Sequence, residues 1–468
     1  MSRIRVLAPG LGGYREPLGA AFQDPAAYAR YWEAVPARAA AVLADAVGAA
    51  GGPGPTLLVR RSEVRGRFNR YTQIDVDTLE RPIEAIVLRF QPHHLATSAP
   101  PTIHPGAASV IECRIYDHGV FILEVEADVT VPPDCDEGEV PGLLDQLQHD
   151  AVTWGEALAC EVHDRYLTPL LRLLRSGDPH AEVVSKVERL VDDKAEHGRV
   201  LWVTRSLLLS PDEPLASELA RYWIKDAVGD VDLDARLAPV DGRVQTHVVR
   251  WLNYLFVGPD LSAADDVEGV FPDEWSALRL AQYFYAALEN VDAQLTRVLA
   301  YSLAPLPVVS VAQLQAELEE CSRRAQFIVM QMRDVSKYLT RSVRAELGAI
   351  LECWELDEVV VEPVTMKVEA CERRLRELAE KRTARASVFT DTILLGIGIT
   401  SILGTTIALT EFGRTMAVDP GMAGFDNGQS GLMGWFAGQP ADLLVMASIG
   451  VSMLLAVVYF YFRRFHQR

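Results

Sequence analysis

Two apolar runs near the C-terminal end constrain this chain more than any other feature. Ser387 to Thr410 reads SVFTDTILLGIGITSILGTTIALT, and Leu443 to Phe462 reads LLVMASIGVSMLLAVVYFYF. As helices rising 1.5 Å per residue, runs of 24 and 20 residues reach about 36 and 30 Å, enough for a bilayer core of about 30 Å. No other stretch is comparably apolar. The pattern predicts a large N-terminal body followed by two transmembrane helices.

The flanking charges predict an orientation. Residues 372–385 hold six Lys and Arg against three Glu, and Arg463, Arg464 and Arg468 follow the second run. The connecting stretch holds Arg414 against Glu411, Asp419, Asp426 and Asp442. Because a Lys/Arg excess marks the cytoplasmic side, both termini are expected inside, in a multi-pass protein of the inner (plasma) membrane. Arg382, Arg385, Arg463 and Arg464 would form a basic ring at that interface.

The formal net charge is −19. So acidic a surface repels phosphate backbones, which argues against a nucleic-acid partner and for cations. The six cysteines include no CxxC pair, all precede the first apolar run, and fit a reducing cytosol. The first residues, MSRIRVLAPGLGG, lack the apolar core of a secretory signal.

Upstream, Tyr28–Ala50 reads as a helix ended by Gly51-Gly52-Pro53-Gly54-Pro55. Ala85–Phe90 reads as a buried strand. Ser109–Tyr116 and Val120–Val129 flank Asp117-His118-Gly119, a hairpin signal. Gly142–Ser176 reads as an amphipathic helix and Val200–Leu209 as a strand. Val244–Val257 reads as strand throughout or strand then helix, and Trp275–Leu303 as a helix. Strands alternating with helices predict an α/β layered body over 1–305. A helical stalk is expected over 306–386, then spans at 387–411 and 442–463, an external loop over 412–441 and a basic tail over 464–468. From Val364 the chain can run as one helix of about 45 residues into the first span, about 70 Å at helical rise.

This layout resembles the CorA-type divalent cation channels, the two-span GxN group. Ser387-Val388-Phe389-Thr390 is similar to that family's cytoplasmic pore entry. Thr400 and Gly404 fall where it keeps a polar pore residue and a small packing residue, and AVVYFYFRRF resembles its final turn. The chain departs at the family's Gly-Met-Asn motif: Ile407-Ala408-Leu409 occupies those positions, Gly421-Met422-Ala423 lacks the Asn, and Asn427 lies beyond. The resemblance implies a homopentamer with the first span innermost. It also implies a transported or regulatory divalent cation (Mg²⁺, Zn²⁺, Co²⁺ or Ni²⁺), with selectivity left open by the missing motif.

On such an axis Phe389, Ile393, Ile397, Thr400, Gly404, Ala408 and Glu411 form one stripe at helical spacing. Apolar rings would gate, Thr400 would offer hydroxyls, and Glu411 would place carboxylates at the outer mouth. The competing reading is close helix packing through small residues. Asp391 reads as an interfacial partner of Arg385 or Arg464, or as an ion site.

Other acidic and metal-like groupings have plain readings. Glu317, Glu319 and Glu320, and Glu355, Asp357, Glu358 and Glu362, read first as solvated helix faces and second as a sensing surface. Asp230, Asp232 and Asp234 imitate half a calcium loop, with Ala235 where a glycine is needed. His149, Glu156, Cys160 and His163 share residue types with zinc sites but read as a half-buried face. Gly10-Leu11-Gly12-Gly13 lacks the Lys-Ser/Thr of a phosphate loop, and no catalytic constellation is present, so the chain is not expected to be an enzyme. The expected function is an oligomeric membrane channel for cations, gated by its cytosolic body. The alternative is a membrane-anchored, ligand-sensing effector of signalling or defence, and the blandest is a passive anchor.

Overall fold

The computed structural model describes residues 2–12, 25–47, 54–62, 83–106, 109–132, 134–176, 198–213, 215–225, 237–240, 245–258, 261, 269–303, 311–418, 435 and 438–466. They divide into two compact units, Met1–Leu375 and Arg376–Arg468.

The first unit is built on a nine-stranded sheet. Its strands are β1 (Arg3–Leu11), β2 (Thr56–Ser62), β3 (Glu84–Phe90), β4 (Ile103–His104), β5 (Ile111–Ile115), β6 (Val120–Val129), β7 (Thr204–Leu209), β8 (Thr246–Val248) and β9 (Asn253–Val257). The order is β2-β3-β5-β6-β1-β7-β9-β8, with β4 on β6. Every pairing is antiparallel except β7 with β9. The expected α/β body is thus a mixed and mainly antiparallel sheet. The β5–β6 hairpin turns at His118 and Gly119, whose φ of 61° and 77° supply the left-handed residues a tight hairpin needs. Within the expected Val244–Val257 segment, β8 and β9 pair antiparallel, and no helix forms among its described residues.

The alternation of side chains along each strand makes two different faces. On one, Ile4, Val6, Ala8, Ile86, Leu88, Ile111, Cys113, Leu123 and Val125 join the main apolar core. Helices α1 (Pro25–Val47), α2 (Val140–Val162) and α3 (Thr168–Ser176) belong to that layer, as does α4 (Ala216–Lys225). A π-helical turn, His163–Leu167, joins α2 to α3. It drives His163 onto Phe121 (5.9 Å between ring centroids) and against Gly198, where a Cβ would come within 2.6 Å of the imidazole. Gly198 also has φ 86°, so only glycine fits there without strain.

The other face is charged, and helix α5 (Pro272–Leu303) lies over β1 and β6 on it. Glu124 is fully buried and gathers three guanidinium groups: Arg5, Arg114 at 3.5 Å and Arg279 at 3.6 Å. Glu112 takes Arg114 at 2.6 Å and Arg89 at 2.5 Å. Glu126 takes Arg3 at 3.3 Å. The Arg5 guanidinium also lies 4.4 Å from the centre of the Trp275 ring, a cation–π contact. Residues Trp275 to Leu288 of α5 are buried on every side, which fits a helix roofed as well as floored. The roof is α6 (Val311–Val335) and α7 (Arg341–Cys353).

A second π-helical turn, Asp357–Val361, leads into α8 (Glu362–Val418), which runs unbroken for 57 residues and carries the boundary between the two units. Helix α9 (Ala441–His466) follows. No helix, among the described residues, is long and apolar enough to cross a membrane. The expected two C-terminal transmembrane helices are corrected on this finding. So are the multi-pass inner-membrane placement and the description as an ion-transporting channel.

What these helices do show is exposed apolar surface. On α9, Leu443, Val445, Met446, Ile449, Val451, Met453, Leu454 and Val457 are all exposed, Met446 by 72%. Only Leu444, Ser448 and Ser452 are buried among its described side chains. At 100° per residue the exposed positions of α9 span about 240° of its circumference and the buried three fill the gap. On α8, Ile393, Leu394, Ile397, Ile402, Ile407 and Phe412 are likewise exposed, over about 220°.

Candidate functional site

Heptad spacing shapes the corner where α6, α7 and α8 meet. On α6 the buried apolar residues are Leu314, Leu318, Cys321, Ala325, Ile328, Met332 and Val335, alternating steps of four and three. Val361, at the end of the second π-helical turn, and Val364, Val368 and Cys371 at the start of α8 repeat this. Such stripes suit packing along a seam; α8 is tied to α6 by Gln326 donating to Glu372 (3.0 Å) and to α5 by Lys367 on Asp292 (2.5 Å). Helix α7 is capped by Thr340, whose hydroxyl accepts from the Val343 amide at 3.3 Å, and buries Val343, Leu347 and Ile350.

Two grooves flank this seam and meet at Arg333 and Thr365. The larger, about 560 Å³, has a floor of Met332, Leu347, Leu351 and Val361, with Gly348 leaving one side open. Its rim carries Arg333 from α6, Arg344 from α7, Asp357 from the π-helical turn and Glu362 from α8. The smaller, about 450 Å³, runs between Val329, Met330, Val364 and Val368 with Asp334, Glu369 and Glu372 on its rim. Both volumes fall in the range of small-molecule sites, and an apolar floor with a few placed polar groups is their usual make-up. Among the described residues none of the four rim charges of the larger groove has an opposite charge within 4.0 Å. Ser336 and Thr365 spend their hydroxyl protons on the carbonyls of Arg333 and Val361. The π-helical turn sits under this groove, and such turns recur at functional sites.

The structure spreads the sequence-predicted residues differently. Ile393, Ile397, Thr400, Gly404, Ala408 and Glu411 all lie on α8 and are exposed. Thr400 donates its hydroxyl within its own helix, to the carbonyls of Gly396 (3.1 Å) and Ile397 (2.9 Å). Phe389, Asp391, Arg382 and Arg385 fall on α8 and Arg463 and Arg464 on α9, but their side chains lie outside the described ones. Asp230, Asp232, Asp234, Gly13, Gly421 to Ala423 and Asn427 lie outside the described residues. His149, Glu156 and Cys160 are exposed whereas His163 is buried and held by Asp164 at 2.9 Å. No group of three or more metal-ligating side chains forms among the described residues.

The two acidic runs separate. Asp357 and Glu362 line the larger groove, and Glu320 pairs with Arg323 and with Arg324 at 3.3 Å. Glu317 is 1% exposed and lacks a hydrogen-bond partner among the described residues, and burial raises its pKa to about 7. Sequence reasoning missed Arg333, Arg344 and Gly348. The signal that would have found them is the heptad step of α6 and α7, which puts Arg333 beside Met332, and Gly348 beside Leu347, at the rim of the seam. No family model, curated protein or solved structure matches this chain.

Proposed function

We propose that this chain is a ligand-sensing effector that acts by self-assembly through its C-terminal unit. One observation carries the reading: α8 and α9 expose apolar side chains over more than half of their circumference. A lone protein in water rarely leaves so much contiguous apolar surface open. A single flat neighbour covers one side of a helix only, so the assembly contains more than two copies. The input is the groove at the α6–α7–α8 corner. Its rim includes the first turn of α8, so a ligand there bears on the helix that also carries assembling surface.

Sedimentation velocity of the full chain over a wide concentration range tests this. The expected result is an assembled species that Met446→Glu with Met453→Glu reduces to monomer. Assembly that ignores these substitutions overturns the reading. So does a monomer that floats with lipid vesicles, since lipid and not a second copy would then cover the helices.

A further inference from the structure

We propose that the larger groove binds a small apolar zwitterion, held by its anionic end at Arg333 and Arg344 and by its cationic end at Asp357 and Glu362. The inference deepens the sensing half of the proposed function and names its ligand class. Four features converge on it. The cavity of about 560 Å³ has room for a molecule the size of a short peptide. Its floor of Met332, Leu347, Leu351 and Val361 is apolar. Its cations come from α6 and α7 and its anions from the π-helical turn and α8, so each sign is grouped by element. These charges are not spent on one another within 4.0 Å among the described residues. A purely anionic ligand would leave Asp357 and Glu362 facing it at a cost, and a purely cationic one would face the two guanidinium groups. A ligand bearing both signs satisfies all four, and arginine pairs with carboxylate in a geometry lysine cannot match. The chain's net charge of −19 disfavours simple anions at long range, whereas a zwitterion approaches without that penalty.

Isothermal titration calorimetry on the full chain provides the test, with the tripeptide Leu-Leu-Leu, its N-acetyl form and its C-amide form as probes. The free tripeptide is expected to bind, and blocking either end is expected to weaken it about tenfold or more, as loss of a charged hydrogen bond does. In Arg333→Gln with Arg344→Gln, the C-amide form should bind as well as the free peptide. In Asp357→Asn with Glu362→Gln, the acetylated form should do so. These side chains are exposed, so the variants should keep the parent melting temperature, which is checked alongside. Gly348→Leu fills the groove from its open side and should abolish binding. Undetectable binding of the free tripeptide overturns the proposal, as do equal affinities for all three probes. Unchanged binding in Gly348→Leu also overturns it by placing the peptide elsewhere. Binding is read apart from sedimentation, so a failed ligand and a failed assembly are distinguished.

Discussion

Glu317 shows how little a residue's type says about its state. It sits on α6 between Leu314 and Cys321, within the buried stripe and not on the solvated face its acidic neighbours occupy. Desolvation disfavours the carboxylate and raises its pKa from 4.5 to about 7. The folded chain therefore holds this proton more tightly than the unfolded chain does. Linkage then gives the sign: the cost of the buried charge is absent below the unfolded pKa and grows as pH rises through the folded one. Glu317→Gln is expected to stabilise the protein by about 3 kcal/mol at pH 8, one pKa unit being about 1.4 kcal/mol, and to have almost no effect at pH 4. Chemical denaturation at both values checks it. A stability gap that is the same at both would show that Glu317 is not buried as a lone carboxylate.

At the scale of elements, the charged layer between the sheet and α5 holds more than any one pair. Glu124 is the hub for Arg5, Arg114 and Arg279. Replacing a whole buried network by apolar groups can be neutral, but removing one member leaves the others buried and unpaired. Glu124→Gln is thus expected to destabilise the protein by about 3 to 5 kcal/mol, measured by urea denaturation, while Arg3→Gln at the rim of the layer should cost less than about 1 kcal/mol. Equal effects would mean the layer is solvated. This layer was hidden in the sequence for a physical reason. Strand β6 was legible because hairpin chemistry at His118-Gly119 and β-rich residues mark it, and its boundaries fall where the pattern puts them. Strand β1 was not, because Arg3 and Arg5 break the apolar run of a central strand, and their partners Glu124 and Glu126 lie over a hundred residues away. Long helices were legible from periodicity. The π-helical turns were not, because one extra residue per turn leaves the local composition unchanged. The groove was not, because it needs three helices whose neighbourhood only the fold decides.

For the whole molecule the division at Leu375 and Arg376 separates the two roles. The sheet, both helical layers and all residues lining the two grooves lie before it. The open apolar surface of Ile393 to Val457 lies after it. A body with its own core folds by itself, and an exposed apolar element governs association. A fragment comprising residues 1–375 is accordingly expected to unfold in one cooperative transition and to sediment as a monomer at concentrations where the full chain is assembled. It should retain the tripeptide site, because every residue proposed for it lies at or before Thr365. Thermal melting by circular dichroism, sedimentation and calorimetry on the same preparation measure the three properties. A fragment that assembles like the full chain would move the self-association surface into the first unit. One that fails to fold would show that the sheet and its helical roof depend on the helices beyond them.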